Sequence, residues 1–148
     1  IDVVWTSDDT FQVVYPRYNE TNRTLAMSAV TVSSGDVSSE SVLTDAAEGN
    51  RRADAEAVDT DKDGVVDHLV VAWERGDDDP KITVGTTAIA SPGIMDSPKT
   101  LKATGANAHY PGLAAGSIAL GSVWLTDTSE RVEFTPVSID GVAVCRSN

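Results

Sequence analysis

Along most of this chain apolar and polar residues alternate with a period of two, the spacing that puts every second side chain on one face of a strand. The pattern predicts strands over Ile1–Trp5, Thr10–Tyr15, Thr24–Val32, Ser41–Thr44, Ala53–Val58, Val66–Trp73, Lys81–Ile89, Thr100–Ala103, Gly112–Ala115, Ile118–Leu125, Arg131–Val137 and Gly141–Val144. Clusters of Gly, Asp, Asn, Ser and Pro separate them. One stretch competes for helix: Asp45–Val58 is rich in Ala and Glu, both good helix formers. Gly49-Asn50 interrupts it, however, and Ala53, Ala55 and Ala57 then alternate with Asp54 and Glu56. That period of two makes Ala53–Val58 a strand.

The strands fall into repeats. Three segments end in a large aromatic residue: Tyr15 in FQVVY, Trp73 in LVVAW and Trp124 in LGSVW. A polar turn follows each, then an alternating strand: Leu25/Met27/Ala29, Ile82/Val84/Thr86 and Val132/Phe134/Pro136. Turns SSGD, SPG and SIDG come next, and the first two units add a short segment carrying Leu43 or Leu101. A repeat of about 50 residues with four short antiparallel strands is the size of a propeller blade. The reading is an all-β chain of one domain: a partial β-propeller with approximate blades at 1–52, 53–109 and 110–148, the last incomplete. A β-sandwich is the alternative, since it also offers many short strands with regular turns. A closed propeller needs four or more blades. Three alone would leave two apolar faces in water, so further blades from the same parent protein or from other chains are expected to cover them.

Ser138-Ile139-Asp140-Gly141 lies at the turn after the third strand of its unit and resembles the start of the S-x-D-x-G-x-x-W "Asp box" of sialidase-like propellers, the bacterial neuraminidase repeat type. Two departures stand against it: Gly141 is followed by Val142, and the final Trp of the box is missing, with Cys145 near its place. The resemblance implies the propeller fold. It also implies an alternative role, as part of a sialidase-like or polysaccharide-processing enzyme whose site is completed by other blades. Such an enzyme would need an arginine cluster and a Tyr–Glu pair, and no spacing in this chain identifies either.

The most specific local signal is Asp59-Thr60-Asp61-Lys62-Asp63-Gly64-Val65-Val66-Asp67. Carboxylates at positions 1, 3, 5 and 9 of a tight loop can converge on one point, and Gly64 permits the inward turn. With the carbonyl of Val65 and a water, Asp59, Asp61, Asp63 and Asp67 would supply six or seven oxygens, the preference of Ca2+. An EF-hand would carry Glu at position 12, where Val70 stands, and a helix would follow. The run instead resembles the D-x-D-x-D-G-x-x-D calcium loops of integrin-type propeller repeats, in which an apolar strand follows. His68 is expected to point away from the loop. The bland reading is a solvated acidic turn, because Asp and Gly are ordinary turn residues.

Composition narrows the partners. At 148 residues the chain can bury a real core, and 41% hydrophobic content suits a globular domain. Its net charge of −12, from 23 acidic and 11 basic residues, disfavours nucleic acid and anionic membrane surfaces. No window reaches the roughly 18 apolar residues of a membrane span. The single Cys145 cannot form an internal disulfide, and Asn19 and Asn22 open glycosylation sequons. Arg51-Arg52 and His109-Tyr110 precede first strands of their units, where propeller loops border the central channel, and are the candidate ligand-binding residues. Catalytic residues cannot be named: with His68 and His109 alone, no triad assembles from the sequence. The expectation is a secreted or cell-surface (or periplasmic) calcium-stabilised propeller segment that binds glycan or protein or serves structural assembly. An oligomeric propeller lectin is a further alternative.

Overall fold

The computed structural model describes residues 1–7, 9–19, 24–45, 49–76, 78–95, 98–101, 107–115, 120–126 and 131–137. Among them there is no helix, and twelve strands run in sequence order: β1 (Asp2–Ser7), β2 (Thr10–Asn19), β3 (Thr24–Ser33), β4 (Asp36–Val37), β5 (Ser41–Val42), β6 (Asn50–Val58), β7 (His68–Arg75), β8 (Lys81–Ala88), β9 (Lys99–Thr100), β10 (Ala108–Ala115), β11 (Leu120–Thr126) and β12 (Arg131–Val137). The alternating Ala53–Val58 segment is strand, as its period requires. The expected strand at Gly141–Val144 and the Ser138–Gly141 turn lie outside the described residues, as do Asn22 and Cys145.

The strands form three antiparallel meanders. The first is β1-β2-β3, with β4 and β5 both pairing with the far edge of β3; the second is β6-β7-β8-β9; the third is β10-β11-β12. In the second sheet both faces are buried. Leu69, Val71 and Trp73 of β7 join Val4, Val14, Ala29, Leu43 and Met95 in one apolar layer against the first sheet. Val70 and Ala72 alternate with them and join Ile82, Val84, Leu101, Leu120 and Trp124 in a second layer against the third sheet. Two interiors flank one central sheet, a layered arrangement consistent with a partial propeller or with sandwich packing. It explains why LVVAW reads as an unbroken apolar run: a strand covered on both faces has no polar side.

Strand register allows the three sheets to be compared position by position. Tyr15 pairs with Ser28, Trp73 with Thr83 and Trp124 with Glu133, so these positions are equivalent in the three units. Ala29, Val84 and Phe134 therefore correspond. The sequence grouping had set Leu25 beside Ile82; strand pairing moves the first unit by two residues and puts Met27 there. The same register makes Asp2 and Asp54 equivalent, through their pairing with Val14 and Ala72. Both point at the next sheet and bind its first strand. Asp2 Oδ2 accepts the amide of Ala55 at 2.8 Å, and Asp54 Oδ2 accepts that of Leu113 at 2.5 Å. Each junction is thus an apolar layer with a carboxylate-to-amide tie at its inner edge.

The aromatics anchor the layers. Trp73 and Trp124 are 1% and 2% exposed, so each removes a large apolar area from water. Trp73 Nε1 donates to Asn50 Oδ1 at 2.9 Å. The residue equivalent to Asn50 in the third unit is Ala108, and among the described residues Trp124 Nε1 has no acceptor.

Candidate metal centre

The loop from Asp59 to Asp67 joins β6 to β7. Its two ends are pinned by backbone bonds: the Asp67 amide donates to the Val58 carbonyl at 3.0 Å, and the Asp67 carbonyl accepts from Ile89 N at 2.9 Å. Between these points the chain must reverse tightly. Gly64 takes φ +94° and Lys62 φ +65°, both in the left-handed region. Turning backbone amides inward lets the carboxylates collect them. Asp59 Oδ1 accepts from Lys62 N at 2.6 Å and its Oδ2 from Gly64 N at 2.7 Å. Asp61 Oδ1 accepts from Asp63 N at 3.2 Å, and Asp63 Oδ1 from Val65 N at 2.8 Å.

This network brings Asp59, Asp61 and Asp63 together. Each offers an oxygen within 4.8 Å of the others, a group that could hold a metal ion. Asp67, the fourth expected ligand, turns elsewhere. It accepts from Thr60 N at 2.9 Å and from Thr60 Oγ1 at 2.6 Å. His68 does not point away as expected: its Nδ1 lies 3.1 Å from Asp67 Oδ1 and 3.3 Å from Thr60 Oγ1. Val65, whose carbonyl is the remaining expected ligand, has an exposed side chain and gives its amide to Asp63.

The electrostatics follow from these contacts. Slight desolvation raises the Asp59 carboxyl, but the amides of Gly64 and Lys62 outweigh it and hold the group below its usual range. For Asp61 the Asp63 amide favours the charged form; desolvation and the adjoining Asp63 and Asp59 carboxylates prevail and push it up. Asp67 is desolvated a little, yet the Thr60 hydroxyl and amide and the nearby His68 lower it to about 2. Asp67 is therefore a fixed anion bracing the loop base, while the three tip carboxylates repel one another. Three hard oxygen donors with no sulfur or nitrogen among them suit a hard divalent cation. A cation there would relieve the crowding that raises Asp61.

The other sequence candidates meet at the junction of the second and third sheets. Arg52 and Tyr110 occupy equivalent bulges at the start of β6 and β10, with φ +40° and +55°. Arg52 Nη1 reaches both oxygens of Glu74 at 2.9 and 3.0 Å, and the Arg52 guanidinium stacks 4.3 Å from the Tyr110 ring centre. The Tyr110 amide donates to Glu74 Oε1 at 2.8 Å, and His109 Nδ1 lies 3.5 Å from Glu74 Oε2. Arg51 is exposed beside this group. Glu74 is 1% exposed and organises the cluster, yet the sequence reading assigned it to a polar turn. Its signal was parity: it sits two residues beyond Ala72, on the face turned to the third sheet. Asn50, the acceptor for Trp73, was missed because it looked like half of a Gly-Asn turn.

Compared with family models, curated proteins and solved structures, the chain matches none of them.

Proposed function

We propose that the chain is a non-catalytic, calcium-stabilised propeller segment of a secreted or surface protein, serving assembly or the binding of glycan or protein. The observation that carries this reading is the convergence of Asp59, Asp61 and Asp63 at a hairpin tip of the doubly buried central sheet. Ca2+ is the proposed ion because the loop offers carboxylates and carbonyls in a flexible reversal rather than a strict octahedron. Val65, through its carbonyl, and Asp67, after release from Thr60, complete the proposed set. The ion's role is structural. It fixes the hairpin that leads into β7, the strand contributing to both apolar layers.

The chemistry nearby supports binding or assembly over catalysis. Arg52 is engaged by Glu74, Arg17 by Glu40 at 2.7 Å and Arg75 by Asp45 at 3.7 Å, so these guanidiniums serve the fold's own carboxylates. The test is thermal melting in EDTA, in millimolar calcium and in equal magnesium. Calcium at about 100 times its dissociation constant should raise the melting temperature by roughly 5–10 °C in a domain of this size. Asp61→Asn with Asp63→Asn should abolish the shift. A melting temperature indifferent to calcium would reject the reading.

A further inference from the structure

We propose that Asp2 and Asp54 form a proton-held clamp at the junction of the first and second sheets: a proton shared between the two carboxyls keeps β1 on β6, and its loss to solvent loosens that junction while the second sheet stays on the third.

β6 packs against both β1 and β10, the first strands of the neighbouring sheets. Three carboxyl groups stand along this contact. Asp2 accepts the Val3 amide on Oδ1 and the Ala55 amide on Oδ2, both at 2.8 Å. Asp54 also reaches the Ala55 amide, and its Oδ2 takes the Leu113 amide at 2.5 Å. Glu56 takes the amide of Ala115. The side chains of Asp2 and Asp54 are hydrogen-bonded to each other as well. Ionised carboxylates are acceptors only, so this last contact requires a proton on one of the two. That proton belongs to the pair rather than to either residue.

Asp2, Asp54 and Glu56 line a groove of about 300 Å³ that no basic side chain lines. The titratable residues of β10, His109 and Tyr110, lie against Glu74 and Arg52 instead, and Arg51 is exposed at the far end of β6. A second charge in the pair therefore meets no cation in the groove, and Glu56 adds a third. Burial raises Asp54 most; the Leu113 amide opposes it, and the charge and hydrogen bond of Asp2 reinforce it. Burial, then the charges of Asp54 and Asp2, raise Glu56. The folded chain accordingly keeps its protons below the raised values and releases them as pH climbs through those values. The two junctions then respond differently. The Leu113 and Ala115 amides favour the anions, so Asp54 and Glu56 keep their hold on β10. Asp2, whose contact with Asp54 needed the proton, is repelled, and the Ala55 amide loses an acceptor.

Hydrogen exchange of the 148-residue protein between about pH 4 and about pH 8, corrected for the intrinsic rate, tests the clamp at single amides. Protection of the Ala55 amide should fall by roughly tenfold as pH rises, while that of Leu113 holds. Asp54→Asn puts an amide donor where the shared proton sits and keeps an oxygen for Leu113, so its Ala55 amide should be protected alike across the range. Asp2→Asn supplies the donor from the other side and should do the same. A parent whose Ala55 protection is flat with pH overturns the proposal. So does a fall shared equally by Leu113, which is opening of the whole domain, or a fall that persists in either variant. The Ile1 amine is the cation nearest to Asp2 in sequence, and the contrast should survive its acetylation. A contrast lost on acetylation also overturns the clamp.

Discussion

Replacing Asn50 with Ala isolates the polar half of an aromatic anchor. Asn50 is 1% exposed, and its side chain bonds in both directions: its Oδ1 accepts from Trp73 Nε1 at 2.9 Å, and its Nδ2 donates to Thr44 Oγ1 at 3.1 Å and to the Asp45 carbonyl at 3.0 Å. Trp73 is equally buried, so Asn50→Ala strands an indole N–H away from water, at about 1–3 kcal/mol. The two lost donations add about 1 kcal/mol, since the Asp45 end is exposed and can turn to solvent. The sum is about 2–4 kcal/mol, or roughly 5–12 °C in melting temperature for a domain of this size. The assay is urea unfolding of Asn50→Ala, Trp73→Phe and the double variant. Phe removes the donor, so the cycle should give a coupling of about 1–2 kcal/mol. A coupling below about 0.5 kcal/mol would refute the reasoning. The third unit supplies the natural comparison: Ala108 occupies the place of Asn50 there, and Trp124→Phe should cost less than Trp73→Phe because among the described residues its donor has no acceptor to lose.

Other consequences can be measured alongside. Glu74→Ala leaves the Tyr110 amide and the Arg52 guanidinium without their shared carboxylate; with Arg52 half exposed, the loss should be about 2–3 kcal/mol in urea unfolding, and Glu74→Leu, which copies Leu125 of the third unit, should lose less. Gly85→Ala would put its methyl 2.8 Å from the Met95 sulfur, so melting should fall by a few degrees, and Met95→Ala in the same chain should recover part of it. Burial first, and then the neighbouring carboxylates, raise Asp54 and Glu56 in the folded chain. The folded state therefore holds these protons more tightly than the unfolded one. Their contribution is most favourable below the ordinary carboxylate value and is lost as pH rises through the raised values. Asp54→Asn, which keeps an oxygen for the Leu113 amide, should flatten that decline in melting temperature relative to the parent, and identical pH profiles would contradict the assignment.

The fold was legible because period two survives wherever one face is covered, and because LVVAW, covered on both faces, is a run rather than an alternation. The grouping around Tyr15, Trp73 and Trp124 was visible, and Trp73 and Trp124, each almost fully buried, anchor successive layers. Its exact register was not: Leu25, Met27 and Ala29 are all apolar, so only pairing shows that Ala29 matches Val84. The loop's Asp59, Asp61 and Asp63 could be read from spacing, since alternate residues in a tight reversal face inward together. Asp67 and His68 could not, because a threonine hydroxyl two bonds from the backbone decides where that carboxylate turns. Glu74 illustrates the same limit. A charged residue after a tryptophan looks like the start of a turn until the strand is seen to continue beneath a third sheet.

Hydrogen exchange with and without calcium tests the central claim most directly, because it reads the metal loop and the strand it positions in one experiment. The account predicts that calcium slows exchange of the Lys62, Gly64 and Val65 amides and carries protection onward into the first residues of β7. Exchange in this hairpin that is the same in calcium and in EDTA would contradict it.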